Sequence, residues 1–138
     1  MVKTFTRQLN TRGQGDALDL TSEVAAIVSQ SGLSAGLVTV FVTGSTAGLT
    51  TAEFEPGVVH DFDAMFERLA PRHADYRHHL RWGDDNGSSH VRAALLGPSL
   101  SVPFHDRELS LGTWQQIVLV EFDTHPRTRE IVIQVMGE

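Results

Sequence analysis

Gln115-Gln116-Ile117-Val118-Leu119-Val120-Glu121-Phe122-Asp123 is followed, three residues later, by Arg127-Thr128-Arg129-Glu130-Ile131-Val132-Ile133-Gln134-Val135-Met136. Both runs are dense in β-branched residues, which favour the extended chain. In the second, Ile131, Ile133 and Val135 fall on one face, with Arg127 and Arg129 further along it. Just upstream, Leu100–Phe104 and Glu108–Leu111 carry the same strand signals. Four strands in succession, without helices between them, predict a largely antiparallel sheet rather than a parallel one built with crossovers.

The N-terminal half supplies what covers that sheet. Residues 2–9 alternate loosely and read as a strand with one wet face. After the turn Thr11-Arg12-Gly13-Gln14-Gly15, a helix is expected from about Asp19 to Gln30. Asp19 or Thr21 would cap it, and Leu20, Val24, Ile27 and Val28 share one face. Gly36–Thr43 is apolar on both faces and reads as a central strand, followed across Gly44-Ser45-Thr46-Ala47-Gly48 by a second strand, Leu49–Glu53. Val58, Val59, Phe62, Met65, Phe66 and Leu69 form a helical stripe from about Val58 to Leu69, closed by Pro71. On that helix His60 points away from the stripe, and Asp61 lies at its border. Residues 71–89 are a long polar segment, and segments of this length in small domains are often functional. His90–Leu96 is expected to form a short helical turn. The whole chain, 1–138, thus reads as a single α+β domain, a mostly antiparallel mixed sheet with two main helices packed on it in two layers.

Composition narrows the function. None of the 138 residues is cysteine, which excludes disulfides, thiolate catalysis and Cys-ligated metal sites. The formal net charge is −6 with scattered Lys and Arg, so no concentrated basic surface suggests nucleic acid. No apolar run approaches the ~20 residues of a membrane span, and the N-terminus lacks the apolar core of a signal peptide. The chain is therefore expected to be cytoplasmic. Gly13-Gln14-Gly15 lacks the further glycine and the strand–helix setting of a dinucleotide-binding loop.

Several strings stand in a telling order. They are Gly44-Ser45-Thr46-Ala47 with Glu53, His60-Asp61, Tyr76-Arg77-His78, Ser89-His90 through Leu96-Gly97, Gly112-Thr113-Trp114-Gln115, and Glu121-Phe122-Asp123 with Arg127 and Arg129. In this order the chain resembles the YjbQ family over roughly residues 3–137. The resemblance implies a small α+β protein that forms homotrimers. It also implies a metal or small anion near the histidine motifs and, in several members, a secondary thiamine-phosphate synthase activity. That reaction joins a pyrimidine pyrophosphate to a thiazole phosphate and releases pyrophosphate. Two positions depart from the family pattern: Gly44 stands where His is widespread, and His79 where Asp is.

The candidate site follows. His78, His79 and His90 are the expected ligands of a divalent metal, zinc or magnesium, with Glu53 or Asp61 as acid, base or carboxylate ligand. The competing reading has loop histidines bonded to backbone or to Asp84 and Asp85. Arg92, Arg127 and Arg129 suit a phosphate or carboxylate, together with Asn86 and the hydroxyls of Ser45 and Thr46. Against this, the arginines can equally pair with Glu121 and Asp123 within the chain or between subunits. The expected partners are a small phosphorylated metabolite and other copies of the chain.

Overall fold

The structure, a computed structural model, describes residues 1–138. In chain order its elements are β1 (Val2–Asn10), β2 (Ala17–Asp19), α1 (Thr21–Ser31), β3 (Ala35–Thr43), β4 (Ala47–Ala52), α2 (Pro56–Leu69), α3 (His79–Trp82), α4 (Gly87–Leu96), β5 (Ser99–His105), β6 (Glu108–Leu109), β7 (Gln116–Glu121) and β8 (Thr128–Gly137). The α+β, antiparallel reading holds, with one difference in layering. The strands divide into two sheets, ordered β1-β8-β3-β5-β6 and β2-β7-β4, and every pairing is antiparallel.

The sheets face one another across the main core. Val38, Val40 and Val42 of β3 and Ile131, Ile133 and Val135 of β8 meet Leu49 of β4 and Ile117 and Leu119 of β7. Helix α1 adds Val24, Ile27 and Val28 to this same core. The other face of β7 carries Val118 and Val120, which pack with Phe122, Phe66 of α2 and Ala93 of α4. The result is large sheet, small sheet, then helices. Only one of the two expected main helices lies outside the strands.

Local rules account for the element ends. Gly32 takes the left-handed conformation that stops α1. Asp19 accepts hydrogen bonds from the backbone N–H and hydroxyl of Thr21, both at the start of α1. Glu55 caps α2, its carboxylate accepting from the N–H groups of Gly57 and Val58. The stripe on α2 is buried less than its spacing suggests: Phe66 is buried, while Met65 and Leu69 are exposed. Where β3 and β8 pair, Gly36 faces Gly137, and a side chain on Gly36 would overlap the Met136 carbonyl oxygen. No helix is long and apolar enough to cross a membrane.

One surface carries exposed apolar side chains. The outer face of the large sheet exposes Leu37, Phe41 and Met136. Between them runs a polar band, in which Gln134 donates to Thr4 at 3.2 Å and the hydroxyls of Thr39 and Ser101 lie 2.7 Å apart.

Candidate functional site

Helix α4 begins three residues earlier than the sequence suggests, and this shift builds a polar cluster. Asn86, Ser89 and His90 now lie on one helical face, at spacings of three and four. Asn86 occupies the N-cap position, yet its side chain makes no capping bond. It is only 7% exposed, and its Oδ1 has no hydrogen-bond partner. The hydroxyl of fully buried Ser89 has none either, nor has Nε2 of His78. The His78 and His90 rings lie 4.4 Å apart, centre to centre. Three unpaired buried polar atoms therefore gather at the start of one helix. Native interiors leave few such atoms, because each costs ~1–3 kcal/mol.

Burial pushes the His90 imidazole below its ordinary range, and His78 beside it adds to the shift. Asp84 and Asp123 pull the other way. His90 is thus neutral at pH 7, able to donate from one nitrogen and accept at the other. His79 is turned elsewhere. Its Nε2 accepts the N–H of Gly87 at 3.0 Å, and its ring packs edge-on against Tyr76. The structure brings His78 and His90 together, and the Asp84 carboxylate is 3.8 Å from His78. Within the chain, no three groups of metal-ligand type converge.

Behind the Gly44–Ala47 turn lies a second cluster. Arg129, 6% exposed, donates through Nε to Glu121 at 2.8 Å, and Nη2 donates to both Glu121 and Thr46. Thr46 donates to Asp123 at 2.9 Å, and Arg127 donates to the same carboxylate at 2.8 Å. Thr11 closes the ring by donating to Glu121 at 2.8 Å. Two cations and two anions make it neutral. So Thr46, expected to hold a ligand, is committed to Asp123 and Arg129, and both arginines take the carboxylate partners named as their competing reading. Asp123 was a candidate only as such a partner.

Burial alone would raise the Asp123 carboxyl, but hydrogen bonds from Thr46 and Arg127 and the Arg127 charge bring it below its usual range. The folded state thus binds fewer protons than the unfolded chain near pH 4. The stability this gives is present above ~pH 4 and is lost as the pH falls through the lowered value. Asp123→Asn is expected to be less stable at neutral pH and to lose stability more gently below pH ~5 than the parent. Urea melts at several pH values read this, and two parallel acid limbs would contradict it.

The remaining candidates lie apart. Arg92 is 1% exposed, with Nε donating to the Ala70 carbonyl and Nη2 to Glu67, at 2.9 and 2.7 Å. Asp63 stands 3.9 Å from it and also pairs with Arg72. Arg92 therefore ties α4 to α2 and has no free fork for a phosphate. On α2 it is Asp63 and Glu67, not Asp61, that face it, because they fall one turn apart on the inner side. Asp61 is exposed beside His60, at 3.6 Å. Glu53 is exposed just past the far end of β4 from Ser45. Neither joins the histidines. Trp114 is 71% exposed, so it packs in no core of this chain.

The geometry has counterparts in other proteins. The family model described as UPF0047 protein YjbQ-like matches residues 5–138. A UPF0047 protein of Methanothermobacter thermautotrophicus is 35% identical over 139 residues, covering 99% of this chain and 95% of that one. The YugU protein of Bacillus subtilis is 33% identical and matches 99% of this chain and 100% of its own length.

The chain belongs to the YjbQ family.

Solved structures agree in fold. A YbjQ-like protein of unknown function from Sulfolobus solfataricus P2 superposes with a TM-score of 0.89 at 30% identity, over 100% of both chains. A YjbQ/UPF0047 family protein from Clostridium acetobutylicum gives 0.86 at 31% identity, over 96% of this chain and 99% of that one. The two positions at which the resemblance led a departure to be expected have visible surroundings here. His79, in place of Asp, receives the first N–H of α4. Gly44, in place of His, leaves its side-chain space open to Arg129, whose Nη1 lies 2.7 Å from where a Cβ would stand.

Proposed function

We propose that this YjbQ-family chain binds a small phosphorylated metabolite at the start of α4, between His78, Asn86, Ser89 and His90. The carrying observation is the set of unpaired buried atoms: His78 Nε2, Asn86 Oδ1 and Ser89 Oγ. A ligand that supplies both donors and acceptors would satisfy them. His79 takes the N–H of Gly87, but Asn86 adds no cap of its own, so the next N–H groups of the first turn of α4 and the helix dipole favour an oxyanion there. The imidazoles of His90 and His78 can add further donors.

The finer reading is catalytic. It places the joining of a pyrimidine pyrophosphate to a thiazole phosphate at this cluster, with the departing pyrophosphate received by the first turn of α4. A divalent ion would be held by His78 and His90, with Asp84 the nearest carboxylate. A further protein ligand would have to come from outside the chain. Such an ion, when bound, would offset the charge developing on the leaving group.

The test uses inorganic phosphate and pyrophosphate as probes, with chloride matching the ionic strength. Both should raise the melting temperature of the parent saturably and leave His78→Ala, His90→Ala unchanged. An equal rise in chloride alone would sink the reading. Elemental analysis of untagged protein then separates its two forms. About one ion per chain, lost in the double variant, supports the metal-assisted reaction; its absence alongside anion binding supports a non-catalytic binder.

The same reading makes the protein a homo-oligomer, expected to be a trimer, seated on the face bearing Leu37, Phe41 and Met136. Phe41→Glu is expected to reduce the mass seen by light scattering to that of one 15.2 kDa chain. A parent that is already monomeric would end this part of the proposal.

A further inference from the structure

The β1–β2 turn and the β4–α2 junction face each other across an open hollow of about 440 Å³. That lies within the ~300–1,000 Å³ of small-molecule sites. Residues 12–17 form one wall; Phe54, Pro56 and Val59 stand on the other. Gly13 and Gly15 sit at φ +107 and +83, so the first wall offers bare backbone in a turn that other residues resist. The turn is well tied. The Asp16 N–H donates to the Gly13 carbonyl and the Gly15 N–H to that of Glu121, both at 3.0 Å.

Asp16 brings a buried carboxylate to this wall, on a residue 8% exposed. One oxygen accepts the Arg12 backbone N–H at 2.8 Å. The other accepts only from the Arg12 side chain, at 3.1 Å, and that side chain is 90% exposed. Ion pairs to so exposed a group contribute little, so Arg12 is an easily displaced partner. Glu55 adds a second carboxylate, held by the first N–H groups of α2. Phe54 leaves part of its ring in solvent across from them. Beneath, Val59, Phe62 and Phe66 help to line an apolar slot of about 10 Å³, barely room for a water-sized group.

We propose that this hollow binds a small organic cation, an ammonium group on a compact apolar body, with Asp16 as its counter-ion. Charge decides the class. Two carboxylates and one guanidinium line the hollow, so an anion meets net repulsion, whereas an ammonium can take the place of the Arg12 side chain on Asp16. An ammonium offers donors only, and the Asp16 oxygen with one weak partner accepts them. The apolar body lies against Phe54, Pro56 and Val59, and an aromatic ring adds attraction for a cation over its face. The narrow slot beneath keeps that body in the upper hollow. A metal ion is the poorer occupant, since no three groups of ligand type converge. None of these residues belongs to the cluster at the start of α4, so this site is independent of the anion reading.

Benzylamine is the probe, an ammonium on one aromatic ring. Nitrogen-15 NMR of the full chain follows the Gly13, Gln14 and Gly15 amides. Saturable shifts are expected at concentrations on the order of millimolar. Benzyl alcohol, the same body without charge, and methylammonium, the charge without the body, should each bind roughly tenfold more weakly. Arg12→Ala removes the competing cation at an exposed position and should tighten benzylamine about threefold. Asp16→Asn should weaken it roughly tenfold. An Arg12→Ala protein that binds benzylamine no more tightly than the parent overturns the proposal. So does benzyl alcohol binding as well as benzylamine, or a benzylamine response at Ser89 and His90 in place of the turn. If Asp16→Asn does not fold, the Arg12→Ala comparison decides. Ser89→Ala should leave benzylamine binding unchanged, so failure of the phosphate reading and failure of this one are told apart.

Discussion

Arg129→Met is expected to lower the free energy of unfolding by about 3–5 kcal/mol, the range for breaking a buried ion pair by removing one partner. The reason is what stays behind. Glu121 is fully buried, and its two carboxylate oxygens accept from Arg129, Thr11 and the Asp123 N–H. Without the guanidinium, a carboxylate is held in a low-dielectric interior with only neutral donors. Thr46 loses a donor as well. For a domain of this size the melting temperature should fall by roughly 10–20 °C. Glu121→Leu combined with Arg129→Met should cost less than Arg129→Met alone, because apolar groups can replace a buried pair at little cost. Chemical melts of both variants read this directly, and a double variant as unstable as the sum of its singles would contradict it.

Ser89→Ala is expected to act in opposite directions on stability and on binding. The Ser89 hydroxyl is fully buried and has no partner, so deleting it removes an unsatisfied group and should stabilise the free chain by about 1 kcal/mol. If that hydroxyl is kept for a ligand, the same change should weaken inorganic phosphate at least tenfold. Calorimetry gives both numbers on one sample. A less stable variant with unchanged phosphate affinity would mean that the hydroxyl serves packing alone.

The strands were legible because their signals are local. The alternation of Ile131, Ile133 and Val135 fixes the buried face of β8, and Arg129 follows by parity alone. That β7 would split from that sheet was not legible. Ile117-Val118-Leu119-Val120 is apolar on both faces, and a strand between two cores reads like any central strand. At the site, His78 and His90 were expected to meet, and Asn86 was named as a ligand-binding residue, but neither its burial nor its place beside the histidines was anticipated. Ser89 was not named, because α4 starts at Gly87, and glycine and serine give little helical signal. Asp61 was picked out from its place at the border of an apolar stripe, and Asp63 and Glu67 were not considered. That stripe is only partly buried, so it misjudged the inner side of α2. Arg92 gave no sign in sequence of being buried, since long-range pairing with Glu67 across 25 residues leaves no periodic trace.

The middle position of β8 also governs how the chain must come into being. β8 separates β1 from β3 in the large sheet, so residues near the start wait for residues some 130 positions later. On the ribosome, β1, β3 and β5 emerge with no means of closing that sheet. Until β8 has been made, only β3, β5 and β6 can pair, and β1 has no partner in that sheet. Closure of the large sheet is therefore expected to come late, and folding to be slower than for a helical chain of this length. Prematurely ended chains should appear in cells as aggregates or degradation products rather than as smaller folded species.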